Sequence, residues 1–380
     1  DYPTLKWERG YRSEYLGNEE AIPMSVADMD LKAPPAVIAQ LHERVAHGIY
    51  GYEIRSEDGY DALRAWYRRR HHWTINPQHI EPCASIMNAI SILIDQHTDA
   101  GDGVILQPPV FFEFKLAIRH HGRSVVKNPL NLIDGRYQID FDDLEAKASD
   151  PANTMLILCN PHNPVGRVWT EDELEQVAEI CARHGVFVIA DEVHGDFALP
   201  PHQYTPYLSV AEPQTQDSAA CISPAKTFNI SGIVDAVTVI PDEAYRHDFH
   251  AFIERYQITR VNVFSSVAVE AAYREGGEWL DDVLAYIQGN VDWARSYLDA
   301  NLPSVSLIEP EGTFLLWLDF RELDMDAKAL ARFLAVDAGV AVSPGYWFGR
   351  EGAGFARMTI GCPRATVERA FDNLALAIEG

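Results

Sequence analysis

The sequence predicts an α/β protein: a large domain with a mostly parallel, mixed sheet flanked by helices, and a smaller α+β domain drawn from both termini. Three observations carry this expectation. Through the middle of the chain, short apolar runs alternate with helix-period segments, the pattern of a parallel sheet with crossover helices. One strand–loop–helix–strand unit stands out at residues 155–191. From about residue 276 the alternation gives way to a long amphipathic segment followed by an α+β order. A chain of 380 residues with 47% hydrophobic content can bury the cores of two domains, placed at 47–275 and at 1–46 with 276–380.

In chain order, "APPAVIAQLHERVAHG" reads as the first helix, expected to pack with the smaller domain. "IMNAISILIDQHT" is a buried helix, "GDGVILQPPV" a strand with its following loop, and "RSVVKNPL" another strand. "MLILC" (155–159) is short and apolar, as a buried strand is. Two Asn-Pro steps and a glycine in "NPHNPVGRVW" then break regular structure. "TEDELEQVAEICARHG" is a helix with Thr170 as its N-cap, Glu173 completing a capping box, and Gly185 at its end. "VFVIADE" is the next strand, parallel to 155–159 because the crossover is right-handed. "DSAACIS" is a strand that leads into "PAKTFNISG". In the C-terminal part, "GEWLDDVLAYIQGNVDWARSYLDANLP" and "DAKALARFLAVDAG" are helices, and "GTFLLWLDF" and "FARMTIGCP" are strands.

Composition excludes several classes of function. A net charge of −25 argues against nucleic acid and anionic membrane as partners, since both are polyanions. No apolar run approaches the roughly 20 residues of a spanning helix, and the start "DYPTLKWERG" has no signal-like apolar region. Five scattered cysteines, odd in number and without a C-x-x-C pair, fit reduced thiols and a cytoplasmic protein. No metal-ligand spacing is present, so no metal is expected.

The chemistry begins at Lys226, one of only seven lysines, set among Ser223, Pro224, Ala225 and Thr227 just after a strand. Ligand crevices of open α/β sheets lie beyond the carboxyl ends of the strands. Phe111, Asn163, Asp191 and Lys226 each follow a different strand end and can converge there. A lysine in a dry pocket is more easily freed as an amine that forms an imine with a carbonyl. If that carbonyl is pyridoxal phosphate, a carboxylate must keep the pyridine nitrogen protonated and a neutral donor must meet the phenolic oxygen. The ring needs an aromatic face, and the phosphate needs hydroxyls and a helix N-terminus. Asp191, Asn163, Phe111, and Ser223 with the "CASIMN" helix start are the candidates. Ser223-x-x-Lys226 also matches the acyl-serine motif of penicillin-recognising enzymes, but that motif's S-D-N and K-T-G partners do not occur.

With these residues in place, the sequence resembles the fold-type I pyridoxal-phosphate enzymes of the aspartate aminotransferase superfamily. Within them it is similar to the MalY/PatB-type cystathionine β-lyases, or C–S lyases. The likeness runs through "SVADMDLKAPP", "HGIYGY", "NPHNPVGRVW", "ADEVHGDF", "SPAKTFNISG", "SPGYWFG" and "FARMTIGCPR". It implies pyridoxal 5′-phosphate as cofactor, bound through Lys226, with Asp191 at the pyridine nitrogen and Asn163 at the phenolic oxygen. His194 lies near that edge, Phe111 stacks on the ring, and Ser85, Ile86 and Ser223 lie at the phosphate. Tyr52 reaches the phosphate of the neighbouring subunit, which makes a homodimer the active unit. Arg357 clamps the substrate α-carboxylate as a bidentate partner. The sequence departs from the family at Phe111 and Phe112, where tyrosines are usual, and at Thr359, where asparagine is usual. Stacking survives those changes; a phenolic acid or base does not.

The implied reaction is β-elimination from an L-amino acid with sulfur on Cβ, with Lys226 as the general base. An aminotransferase on the same scaffold, and a regulatory or binding protein that keeps the fold, are the alternatives.

Overall fold

The computed structural model describes residues 4–210, 214–233 and 235–380. Seven strands form the main sheet, in the order Ile80–Cys83, Ala236–Val239, Ser218–Ile222, Phe187–Asp191, Asn153–Cys159, Gly103–Leu106, Ser124–Lys127. Every neighbouring pair is parallel except the two made by Ala236–Val239. This is the mostly parallel, mixed sheet the alternation predicts. The apolar runs of its central strands feed two cores, one on each face. Leu156, Leu158, Val188 and Ala190 enter one; Met155, Ile157, Phe187 and Ile189 enter the other.

The helix Glu171–His184 carries the expected capping box between Thr170 and Glu173, and Gly185 ends it with φ 68°. Its apolar stripe, Leu174, Val177, Ala178 and Cys181, lies on the sheet. Because the crossover is short and parallel, Cys159 aligns with Asp191, and Asp191 with Cys221. Three strands therefore end on one line, and the loops that follow open on the same edge.

The C-terminal part is an antiparallel sheet, Ser306–Ile308, Leu315–Asp319, Phe355–Thr359 and Ser343–Pro344. The helix Gly277–Asn301 packs against the last helix, Arg364–Glu379. The segment expected as one helix at 326–339 is α-helical only over Ala327–Arg332 and continues as a π turn over Phe333–Asp337.

The N-terminal segment divides. Ile22–Pro23 pairs in parallel with Val340–Ala341, so its first part does join the C-terminal sheet region. The helix Pro35–His47 does not follow it there. It packs chiefly on Val263–Glu275, where Ala268, Val269, Ala271 and Ala272 are buried. The strap between them, residues 24–31, spans both parts. Met24 and Asp30 bond backbone to backbone with Thr359, Ala341 and Gly361, while the Asn229 side chain donates to the carbonyls of Met29 and Leu31.

Among the described residues, no helix is long and apolar enough to cross a membrane, and no group of three or more His, Cys, Asp or Glu could hold a metal ion. The five cysteines are free and buried.

Candidate active site

Ser223 caps a single helical turn, Pro224–Thr227, that begins directly after the strand Ser218–Ile222. Lys226 leaves this turn toward the strap. Its Nζ donates to the Ala27 carbonyl at 2.7 Å, to Asp28 Oδ1 at 3.0 Å and to Ser231 Oγ at 3.3 Å. Ala27 and Asp28 lie in the "SVADMDLKAPP" stretch, which by itself marks neither as a partner of the lysine. A short acidic turn carries no periodicity that would aim it at a lysine about two hundred residues away.

Asp191 ends its strand as a buried carboxyl, one oxygen of which accepts from the Val193 amide at 3.1 Å. Burial pushes it up to about 7, and the Val193 amide and the Lys226 charge oppose that rise. Glu192 beside it is also pushed up to about 7 by burial, against hydrogen bonds from the Tyr207 amide and Asn160. His194 is held down to about 3, first by burial and then by the charges of Lys226 and Arg357. Its imidazole is therefore neutral, and Nδ1 is buried without a partner among the described residues.

Arg357 stands on the strand Phe355–Thr359, paired with Trp317 on one side and Ser343 on the other. It is 3% exposed, and Phe348 covers its guanidinium at 4.9 Å. It donates to Ser25 O at 2.7 Å, Asn163 Oδ1 at 3.0 Å and Ser343 Oγ at 3.2 Å. Its Nε has no partner, and no carboxylate pairs with it among the described residues. Burial alone lowers it to about 10. A buried cation without a counter-charge is costly unless an anion joins it. Because Arg357 takes the oxygen of Asn163, the amide nitrogen is the end of that side chain left to donate elsewhere.

Phe111 precedes the helix Phe112–His120, edge-on to Phe114 at 5.4 Å and tilted to Phe112 at 5.3 Å. Phe112 opens on an aromatic cavity of about 490 Å³ shared with Tyr11, Tyr15, Tyr346 and Trp347. Ser85 caps the helix Ile86–His97, its Oγ accepting from the Asn88 amide at 3.2 Å, with Ile86 the first helical residue. The Ser223 hydroxyl donates to the Asp235 carbonyl at 2.6 Å and accepts from the Ala225 amide at 3.2 Å. Thr359 is buried, with Oγ1 unpartnered among the described residues.

Lys226, Asp191, His194, Arg357 and Asn163 thus come together through direct bonds and mutual charge effects. Tyr52 does not join them within the chain. It is 91% exposed, with Arg260 stacked over its ring at 4.6 Å.

The sequence profile of the family described as "Aminotransferase class I and II" matches residues 20–374. Cystathionine beta-lyase PatB of Bacillus subtilis is 39% identical over 375 residues, 99% of this chain and 96% of that protein. Protein MalY of Escherichia coli is 33% identical, covering 98% of this chain and 95% of MalY. The crystal structure of cystalysin from Treponema denticola, which contains a pyridoxal 5′-phosphate cofactor, superposes with a TM-score of 0.95 at 33% identity. That match covers 99% of this chain and 95% of cystalysin.

Proposed function

The chain belongs to the aminotransferase class I and II family, and on that footing we propose that it is a pyridoxal 5′-phosphate-dependent carbon–sulfur β-lyase. With one water, it converts an L-amino acid with sulfur on Cβ, such as cystathionine, into a thiol, pyruvate and ammonia. The observation that carries the amino-acid substrate is Arg357, a buried guanidinium that no carboxylate of the described chain neutralises. A substrate α-carboxylate meets that need as a bidentate partner. The choice of elimination is supported by the likeness to PatB, named a cystathionine beta-lyase, over nearly the whole of both chains.

The residues present fit the cofactor. Asp191 is a buried carboxyl with little to neutralise it, suited to a protonated pyridine nitrogen. The free amide end of Asn163 suits a phenolic oxygen, and the orphaned Nδ1 of His194 could serve the same ring. Phe111 offers a ring face. Ser85 and Ile86 at the helix start, with Ser223, would hold the phosphate, and Lys226 would carry the cofactor through Nζ. When bound, the cofactor supplies an electron sink for the pair left on Cα.

The chain does the rest. Arg357 and Asn163 fix the substrate carboxylate, which turns the Cα–H bond toward Lys226. The Lys226 amine, freed when the substrate amine takes its place, removes that proton, and Asp28 and the Ala27 carbonyl receive the resulting ammonium. The thiolate leaves from Cβ. His194, held down to about 3, is too weak a base to compete for the proton.

We place a second copy of the chain against the strip around Tyr52. Val45, Ile49, Tyr50, Tyr52 and Ile54 are all exposed large apolar side chains within ten residues, more than a solvated surface ordinarily carries. In that homodimer Tyr52 reaches the partner's phosphate site.

Purified protein given L-cystathionine is expected to release pyruvate and thiol together; release of neither refutes the lyase reading. Lys226→Ala is expected to lose both the activity and the visible absorbance of the bound cofactor. The family's description favours one other reading, transamination, and stoichiometric amino-group exchange with an added keto acid in place of pyruvate release would establish it.

A further inference from the structure

We propose that Arg55 supplies the positive charge that holds the cofactor's phosphate, at the corner bounded by Ser85 and Ser223. This rests on the cofactor reading above. A phosphate ester carries about −1.5 to −2 charges near neutrality. A helix N-terminus offsets only about half a unit charge. Ser85 brings a neutral hydroxyl and the first-turn amides of Ile86–His97. Ser223 brings less than its position promises, because its hydroxyl proton is already given to the Asp235 carbonyl at 2.6 Å. On the reading above Lys226 is committed to the cofactor's carbonyl end and Arg357 to the substrate carboxylate, so neither serves the phosphate. The corner therefore needs another cation.

Arg55 is placed to be that cation. Its Nη2 donates to Asp235 Oδ2 at 2.6 Å, on the same residue whose carbonyl Ser223 holds. The next residue, Ala236, pairs with Cys83 in the adjoining strand, and the Cys83 thiol reaches the Ser85 carbonyl at 3.2 Å. Asp235 thus ties Arg55 to Ser223, and the Ala236–Cys83 strand pair ties that corner to Ser85. The Arg55 side chain is 8% exposed, and its guanidinium lies over the Tyr60 ring at 5.2 Å. Nε is buried without a partner among the described residues, so the planar fork keeps an N–H edge for an anion. Asp235 aims the fork, and Tyr60 stops it from swinging out.

The test uses cofactor-free protein titrated with pyridoxal 5′-phosphate and, separately, with pyridoxal, reading visible absorbance. For Arg55→Met the affinity for pyridoxal 5′-phosphate is expected to fall roughly 10- to 100-fold, the loss of charge-assisted hydrogen bonds. Affinity for pyridoxal should stay unchanged. Arg55→Lys should fall between, and inorganic phosphate should slow uptake by the unaltered protein more than by Arg55→Met. Because Arg55→Met alone leaves Asp235 buried and unpaired, Arg55→Met with Asp235→Asn is measured beside it, with circular dichroism to check the fold. Equal losses for both compounds, or no loss for pyridoxal 5′-phosphate, would overturn the assignment. Failure of the unaltered protein to take up either compound would overturn the cofactor reading and this one with it.

Discussion

Burial raises the carboxyl of Asp191 to about 7, and Glu192 beside it to about 7, in a protein whose unfolded chain would hold both near ordinary carboxylate values. The sign follows. Between roughly pH 4 and 7 the folded form binds more protons than the unfolded form, so stability is fullest at acid pH and is lost as pH rises through 7. Buried His97, His162 and His194, all held low, oppose this trend below their ordinary range, so the share of Asp191 is read by difference: from pH 5 to pH 8 calorimetry of the cofactor-free protein should show Tm falling more, or rising less, than in Asp191→Asn. Arg357→Ala should lower kcat/KM for amino-acid substrates by roughly 100-fold, the scale of a lost charge-assisted pair, while the visible absorbance of the bound cofactor persists. Lys226, Asp191, Asn163 and Arg357 were legible because each sits just past or on an apolar run in a setting where a solvated side chain makes little sense. Asp28, Ser25 and Arg55 were not. They reach the site by long-range folding of irregular segments, and nothing local distinguishes them from surface residues.

At the scale of elements, the Asn163 loop is fastened from below. Gly166, in the left-handed region at φ 74°, offers its carbonyl to the amides of Glu311 and Gly312. The Glu311 carboxylate accepts from Arg136 at 2.6 Å, Arg167 Nε at 2.9 Å and the Val168 amide at 3.0 Å. Those bonds hold Glu311 below its usual carboxylate range in spite of burial. Glu311→Ala leaves the buried Arg167 with Glu173 and the Tyr137 carbonyl but with its Nε unpaired, and is expected to cost about 3 kcal/mol in denaturant unfolding. Thr170→Ala, which removes only a cap, should cost about 1 kcal/mol by the same measurement. The helix Glu171–His184 was readable to its caps because Thr, Glu and Gly each satisfy a particular helix-end group. The helix Arg9–Leu16 buries only Arg12 and Leu16, and Glu57–His71, though it buries Ala62, Leu63, Trp66 and Tyr67, ends on His72 rather than a glycine. Three consecutive arginines close the second, and its buried residues include Trp66, whose ring nitrogen donates to Asp196.

For the whole molecule, the proposed homodimer turns on the exposed apolar strip at residues 45–54. Sedimentation should give the mass of two chains, and Ile49→Asp with Ile54→Asp should yield single chains with weakened cofactor affinity, because Tyr52 then has no partner site to enter. The sheet and its crossover order followed from hydrophobic patterning, which depends on local sequence. The place of the helix Pro35–His47 did not follow, since an amphipathic helix records that it has a buried face but not which neighbour covers it. The strap at residues 24–31 has one more consequence. Ala27 and Asp28 touch the Lys226 amine, and Ser25 touches the Arg357 guanidinium. Trimming the protein back to its first long helix would therefore remove one wall of the reaction chamber, taking the lysine's acceptors and the arginine's anchor away in a single cut.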